Sequence, residues 1–355
     1  MGKYILTLFA TLIGSVCSFG QDSVPQKKFF QRIYEVVKKF SQVDTSYIEP
    51  QHYNFTAMLQ NTNTYEVYSF EDANGQSVTF APEPSVRIGP YFGWHWVFLG
   101  YTFDILHAGD KKNKQDWNLS LYSNQLGVDL FYRKVGNNYK IKEIELNGEP
   151  DMRKMRNIEF DGLSASIIGF NLYYIFNHKK FSYPAAYSQS TIQRKSAGSF
   201  LAGIGYTRHS ISVEWDKLYN IVREASGTPI SDSSTNSEQL FSDVHYRDFS
   251  IYGGYGYNWV FAHNWLLNAS LSLGLSYNSS SNSVSTQHAF GLNNFAFQNF
   301  NVDGIGRLGI VWNNSKWFAG TNVIMHSYNY HKNQFSTNNT FGSLNIYFGF
   351  NFDRR

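Results

Sequence analysis

The chain has almost no cysteine, and this absence excludes several kinds of chemistry. Its 355 residues include a single cysteine, Cys17. Because we expect the first twenty residues to be removed, the mature protein would contain no thiol. Such a chain forms no disulfide bond, no thiolate metal site and no cysteine nucleophile. The alternative is a lipid-modified Cys17. It is disfavoured because bacterial lipoprotein signals have a small residue before the cysteine, and Val16 is not one.

Charge is also scarce. Charged residues make up 16% of the chain, against about 25% in soluble domains. The net charge is only +3, and no basic cluster interleaves with aromatic residues, so we expect no nucleic-acid partner. After residue 20, no apolar run approaches the ~18 residues of a membrane-spanning helix. Aromatic residues, in contrast, reach 18%. This combination favours a membrane β-barrel over a soluble enzyme.

The first twenty residues have the pattern of a secretory signal peptide. Lys3 provides the positive start, residues 4–16 the apolar centre, and Ser18 to Gly20 the exit. We therefore predict cleavage near Gly20 and location in the outer membrane of a Gram-negative bacterium.

The remainder is predicted to have two parts. Residues 21–50 would form a periplasmic segment with an amphipathic helix at 26–42, in which apolar residues recur at helical spacing. We expect this helix to pack on the rim of the barrel; the alternatives are a plug or an anchor on the membrane surface. Residues 51–355 would form the barrel.

The segment from Trp265 to Tyr277 carries the strongest structural signal. Its alternate positions are apolar, with an aromatic residue at each end, and the positions between them are small and polar. Strands of soluble proteins usually have about 5–6 residues, but this pattern continues for 13 residues. Long alternation, little charge and aromatic ends are typical of a transmembrane β-strand.

Similar alternation recurs along the chain and predicts an all-β, antiparallel, up-and-down transmembrane β-barrel. The thirteen candidate strands are 53–60, 64–70, 85–94, 97–105, 116–122, 126–133, 163–176, 197–212, 246–261, 265–280, 299–312, 316–330 and 340–352. Bacterial single-chain barrels have an even number of strands. We therefore predict about 12 strands, within a range of 10–14. Either one early candidate is not a full span, or a strand near Tyr139–Leu146 is missing from the set.

The connections alternate between short turns and long polar loops, as in outer-membrane barrels. The short turns are 123–125, 262–264 and 313–316, and the long loops are 106–115, 134–162, 213–245, 281–298 and 331–339. One connection breaks the alternation, because residues 177–196 fall on the short-turn side and are 20 long.

Several charged residues are predicted, by strand parity, to face the lumen: Arg87, Asp104, Asp129, Arg133, Asp248, Asp303 and Arg307. Two roles are open. The residues would either form hydrogen-bonded ion pairs that fill a narrow interior, or line a water-filled path and set its charge preference. The structural role is favoured. A barrel of 8 strands is filled by side chains and one of 16 leaves a channel, so ~12 strands do not decide between the roles.

No catalytic or metal-binding constellation stands out. His209–Ser210 and His326–Ser327 are adjacent in sequence, so a strand would send the two side chains of each pair to opposite faces. No Gly-x-Ser-x-Gly motif is present. The ten histidines are scattered, without metal-ligand spacing. We therefore expect no enzyme activity, no metal and no cofactor.

Several short motifs resemble a family of Bacteroidetes outer-membrane proteins catalogued as domain of unknown function 4421. They comprise Asp44–Ile48, Tyr53–Phe55, Gly89–Gly93, Leu99–Asp104, Leu119–Ser123, Gly127–Tyr132 and Gln193–Ser199. The resemblance covers about residue 40 to the end. It implies a barrel in the outer membrane and assigns no activity.

Three functions remain open from the sequence. The first is passage or binding of a small or apolar solute in a porin-like, monomeric barrel. The second is a sealed structural barrel whose extracellular loops bind a partner, and the third is a lipid-modifying barrel enzyme. A soluble secreted β-sandwich is disfavoured by strands of 13–16 residues. The expected partners are outer-membrane lipid, the barrel assembly machinery and a small-molecule solute.

Overall fold

A computed structural model describes residues 42–72, 75–83, 85–94, 97–100, 103–104, 115–135, 139–145, 157–226, 243–280, 300–332 and 335–354. Residues 43–355 form one structural unit. The predicted signal peptide, nearly all of the predicted helix 26–42 and the predicted loop 281–298 lie outside the described residues.

Antiparallel strands dominate the described chain. They are β1 (Ile48–Pro50), β2 (Tyr53–Asp72), β3 (Ser77–Pro82), β4 (Ser85–Trp94), β5 (Val97–Gly100), β6 (Phe103–Asp104), β7 (Gln115–Tyr122), β8 (Leu126–Val135), β9 (Tyr139–Glu145), β10 (Ile158–Phe160), β11 (Leu163–Ile175), β12 (Thr191–Gln193), β13 (Ala197–Val213), β14 (Asp243–Ala262), β15 (Trp265–Ser280), β16 (Phe300–Asn313), β17 (Trp317–Lys332) and β18 (Phe335–Arg354). Two helices are described, α1 (Pro184–Tyr187) and α2 (Trp215–Ser226). Among the described residues, no helix has the length and apolar character needed to cross a bilayer.

The large sheet follows the up-and-down order that the sequence predicts. Neighbouring strands run from β7 through β8, β11, β13, β14, β15, β16, β17 and β18 to β2, then to β4, which pairs with β5 and β6. If β5 and β6 are taken as one interrupted strand, this meander has twelve strands, which we call the wall, and the short strands β3, β9 and β10 belong to the same sheet. The meander agrees with the predicted number of about 12 strands. β2, the first strand of the large sheet along the chain, pairs with the last strand, β18, as a closed meander requires.

The sheet has two different ends. The short turns and both chain ends of the sheet, near Tyr53 and Arg354, lie at one end, which we call the turn end. The opposite end is the loop end. There β9 pairs with β3 on one side and with β10 on the other. Two residues connect β10 to β11 in the chain, and within the described part of the sheet no ladder pairs these two strands. Among the described residues, no ladder joins β7 to β5 or β6.

The two faces of the sheet differ as expected for a membrane barrel. On β15, Leu271, Leu273 and Leu275 are 54–58% exposed, whereas Ser272 and Ser276, at alternate positions of the same strand, are at most 6% exposed. Other outward positions are also large and apolar, and aromatic pairs lie near both ends of the strands, such as Tyr277–Phe300 and Trp317–Phe350. An apolar exterior between aromatic belts is the surface that a bilayer covers.

Some predicted boundaries were wrong. The candidates 53–60 and 64–70 are one strand, β2, because its pairing with β18 and β4 continues through residues 61–63. This merger is what reduces thirteen candidates to twelve. The segment near Tyr139–Leu146 does contain a strand, β9, but β9 extends the wall at the loop end and is not a further crossing.

Three predicted loops also contain regular structure. The loop 134–162 contains β9 and β10, the loop 213–245 contains α2, and the strands β17 and β18 extend through most of 331–339. The polar composition of these segments predicted loops. Cross-strand hydrogen bonds and the burial of one face of α2 instead give them regular structure.

Candidate functional site

The interior contains most of the charged residues that the sequence predicts to face the lumen. Asp129, Arg133, Asp248, Asp303 and Arg307 are each at most 5% exposed. Arg87 is partly buried. Asp104 lies opposite Arg87 in the backbone register of β4 and β6, and its side chain lies outside the described part of the structure.

Arg307 and Asp129 form an ion pair inside the sheet. Nη2 of Arg307 donates to Oδ2 of Asp129 at 2.6 Å, and the Tyr122 hydroxyl donates to Oδ1 at 3.3 Å. The guanidinium carbon lies 4.9 Å from the centre of the Tyr173 ring and 5.8 Å from that of Tyr183. Since β8 and β16 are not neighbours in the sheet, the pair bridges the interior.

Two carboxyl groups form a second polar group, nearer the loop end. Asp303 accepts hydrogen bonds from Ser250 Oγ and from the Asn329 backbone N–H, both at 3.2 Å. Asp248 is fully buried, and among the described residues neither of its oxygens accepts a hydrogen bond. Nε2 of His209 lies 3.9 Å from its Oδ2. The buried charged side chains described comprise four acids and two arginines, so this interior is more favourable for a cation or proton than for an anion.

The connection between β11 and β13 folds into the interior and obstructs the turn end. We call residues 177–196 the plug. Phe181, Tyr183 and Ala186 are fully buried, and α1 lies within this segment. Its apolar residues pack on inward-facing side chains of the wall: Leu266, Val311, Phe318 and Tyr347. The unusual length of this connection was visible in the sequence, and its inward fold was not.

Hydrogen bonds between uncharged groups fix the plug to three strands of the wall. The Tyr187 hydroxyl donates to Asn268 Oδ1 at 2.6 Å. Gln189 Nε2 donates to the Tyr347 hydroxyl at 3.0 Å, and its Oε1 accepts from Asn313 Nδ2 at 2.9 Å. Because these bonds reach β15, β16 and β18, the plug is packed into the wall and is not a mobile strap beside it.

The N-terminal residues of the described chain join the plug. β1 pairs with β12, which belongs to the plug. Arg194 donates from Nε to Glu49 at 2.5 Å and from Nη1 to Asn264 at 2.8 Å. Partial burial alone would raise the pKa of Glu49, but the hydrogen bond and positive charge of Arg194 lower it below its ordinary value. Glu49 is therefore an acid-sensitive contact between the plug and the N-terminal segment.

Apolar packing obstructs the loop end, and we call this region the cap. Its buried side chains are Tyr68, Phe70, Val78, Phe80, Tyr139, Ile141, Ile144, Phe160, Leu163, Ala165, Ile211, Val213, Leu218, Val222, Val244, Tyr246 and Tyr330. Leu218 and Val222 come from α2. The Phe80 and Phe160 rings stack with centres 5.0 Å apart. Close packing of this kind is typical of protein cores, so the cap is a small hydrophobic core at the loop end.

A serine–histidine contact lies on the outer face, where the sequence did not indicate one. Ser210 on β13 is opposite His245 on β14 in the ladder, and Ser210 Oγ lies 2.8 Å from His245 Nδ1. His209 points inward and is 1% exposed, as its adjacency to Ser210 predicts. Finding the pair requires the β13–β14 register, which cannot be derived from either strand alone.

Metal ligands do not cluster in the described part of the chain. No group of three or more histidine, cysteine, aspartate or glutamate side chains there could hold a metal ion.

An apolar exterior, an up-and-down antiparallel order and an interior lined by buried polar residues define the protein as a β-barrel of the outer-membrane type. The chain belongs to the family described as Domain of unknown function (DUF4421), whose model matches residues 42–352. This match confirms the resemblance found in the sequence motifs. A search among curated proteins gives no match.

Solved structures with a similar fold include several outer-membrane proteins. The outer membrane protease OmpT from Escherichia coli has 8% identity and a TM-score of 0.33, with 84% of this chain and 97% of that chain covered. The toluene transporter TodX from P. putida has 9% identity and a TM-score of 0.22, over 85% and 91% of the two chains. The transport unit of the autotransporter AIDA-I from Escherichia coli has 8% identity and a TM-score of 0.31, over 84% and 90%. Similarity this low carries no information about activity.

Proposed function

We propose that this protein is a sealed outer-membrane barrel that acts through its surfaces and does not conduct solutes. The observation that carries the proposal is that buried side chains fill both ends of the interior, through the plug and the cap. In this assignment the turn end faces the periplasm and the loop end faces the outside, as is usual for outer-membrane barrels.

Solute passage is the alternative, and it has a structural obstacle at each end. The plug would have to break hydrogen bonds to three wall strands, and the cap would have to separate a cluster of packed apolar side chains. The interior ion pair Arg307–Asp129 adds a third obstruction between them. A sealed barrel needs none of these contacts to break.

The loop end supplies the surface through which a sealed barrel would act. The cap fixes α2 on the wall through Leu218 and Val222, while Asp216, Lys217 and Arg223 of the same helix remain exposed. A folded, charged surface of this kind suits recognition of an extracellular partner.

Single-channel recording in a planar bilayer tests the proposal. The purified, folded protein is expected to be silent. A variant in which residues 181–192 are replaced by a short glycine–serine linker removes the buried part of the plug and serves as the matched comparison. Heat-modifiable gel mobility verifies that both proteins are folded. Steady ionic conductance of the unaltered protein would refute a sealed barrel.

A second candidate function is hydrolysis of a membrane-lipid ester, favoured by the Ser210–His245 contact on the outer face. The Ser210 hydroxyl would attack the ester carbonyl and pass its proton to His245, which would protonate the departing alcohol; water would then release the fatty acid. The test is fatty-acid release from detergent-dispersed phospholipid. Ser210→Ala is expected to abolish release, and Ser166→Ala, an outward-facing serine on the adjacent strand, to preserve it. No release by the unaltered protein excludes this function.

A further inference from the structure

On the outward face of β13 and β14, an aromatic pair is followed by a pair of arginines. Tyr206 and Phe249 are opposite each other in the ladder, with ring centres 5.6 Å apart. Two residues closer to the loop end, Arg208 lies opposite Arg247. Both arginine side chains are exposed.

The position of these arginines relative to the membrane follows from the aromatic row. Aromatic side chains of membrane barrels concentrate at the interface between hydrocarbon and headgroups. The pair Tyr277–Phe300 continues the same row on β15 and β16, because Phe249 is opposite Tyr277. Two residues along a strand correspond to about 6.6 Å, which brings Arg208 and Arg247 from the interface to the depth of lipid headgroups. The inference depends on the membrane-spanning fold and is independent of whether the lumen is sealed.

Within the described part of the chain, no acidic side chain balances the charge of this patch. Like charges directly opposite on a sheet destabilise it, yet among the described residues no carboxylate pairs with either guanidinium. On the outward face of β14, the acidic residue Asp243 is four residues from Arg247, about 13 Å along the strand. Lys134 on β8 adds a third cation, since it lies opposite Ser166, which in turn is opposite Ser210.

The chemistry of the patch fits a phosphate group. Guanidinium groups bind phosphate through paired hydrogen bonds, and hydroxyl and imidazole groups add further donors. The Ser210–His245 pair lies in the next row of the same two strands. We propose that Arg208 and Arg247, with Ser210 and His245, bind the phosphate of an anionic membrane lipid in the leaflet at the loop end.

Lipid titration of the intact, detergent-solubilised protein, followed by native mass spectrometry, tests this site. The probe is phosphatidic acid, and diacylglycerol with the same acyl chains is the control lipid without phosphate. The variant is Arg208→Gln with Arg247→Gln. The control variant is Lys217→Gln with Arg223→Gln on α2, which removes the same charge from the same end of the protein. Heat-modifiable mobility confirms the folding of each variant.

The unaltered protein and the α2 variant are expected to prefer phosphatidic acid. The arginine variant is expected to bind it about 30-fold more weakly, the change for two basic residues that each contribute the usual attraction to an anionic lipid surface. Its binding of diacylglycerol is expected to be unchanged. Equal binding of the two lipids by the unaltered protein, or an equal loss in both variants, would overturn the proposal.

Discussion

Replacement of Arg307 by methionine distinguishes a packed interior from a solvated path. Methionine retains an apolar stem but removes the charge, leaving Asp129, which is 5% exposed, with the Tyr122 hydroxyl at 3.3 Å. Removal of one partner of a buried ion pair costs about 3–5 kcal/mol, because the other charge stays buried without compensation. In a water-filled path, both groups would be hydrated and the same substitution would cost little.

Equilibrium unfolding by urea in phospholipid vesicles, followed by tryptophan fluorescence, measures this loss. Arg307→Met is expected to lower the free energy of unfolding by about 3–5 kcal/mol. The double variant Arg307→Met with Asp129→Asn is expected to lose at least about 1 kcal/mol less than the sum of the two single losses, because the effects of contacting residues are not additive. Arg354→Met, at an exposed strand end, is the control and should change stability by less than about 0.5 kcal/mol. A loss below about 1 kcal/mol for Arg307→Met, or strict additivity in the double variant, would show that the pair does not pack the interior.

Three further outcomes are expected. Gly205→Ala should destabilise the barrel, because its Cβ would come within 2.7 Å of a buried amide and a tyrosine ring, whereas Gly253→Ala on the outer face meets no atom within 4 Å; equal urea midpoints would contradict this facing. Leu271→Arg should cost about 2–4 kcal/mol at the bilayer midplane, and a cost near zero in vesicle unfolding would remove β15 from the lipid face. The pKa of Glu49 is lowered by Arg194, so their contact stabilises the folded state above the ordinary carboxyl value of 4.5 and is lost as the pH falls further. The protection of β1 amides against hydrogen exchange, taken relative to the intrinsic exchange rate at each pH, should fall below that pH, and it should be pH-independent over the same range in Glu49→Gln.

The strands of the wall were predictable from the sequence because their residues alternate between apolar outward positions and small or polar inward positions. In β15 each outward leucine is separated from the next by one small polar residue, so parity alone assigns both faces. The number of strands also depended on whether the candidates 53–60 and 64–70 form one strand, and the alternation of residues could not show this. β2 continues through Asn61–Asn63, where the alternation weakens, because its pairing with β18 and β4 carries the ladder through that stretch.

The contents of the interior were less predictable. Parity identified inward-facing charges such as Asp129 and Arg307, but their pairing depends on the curvature of the wall and on strands that are not neighbours. The plug was visible only as a connection of unexpected length. Its fold depends on contacts with Asn268, Asn313 and Tyr347, which lie 80 to 160 residues away in the chain. The Ser210–His245 contact likewise depends on cross-strand register.

Inward facing alone would predict that arginine is tolerated at Ser272, because the side chain would enter an aqueous lumen. Ser272 is only 6% exposed, and a Cβ on Gly254 would lie 2.3 Å from its Oγ. An arginine at this position would therefore have to displace packed neighbours, so its cost now approaches that of an outward substitution.

The plug couples parts of the wall that are distant from one another in the chain. It connects β11 to β13, so both of its ends are fixed once those strands pair, while the side chains that hold it belong to β15, β16 and β18, which follow later in the chain. The C-terminal half of the wall thus encloses a segment whose two ends belong to strands that precede it in the chain. The contacts of β15, β16 and β18 with the plug add to the pairing of these strands with one another. A chain with a shortened plug would be expected to insert more slowly, even if its finished wall were unchanged.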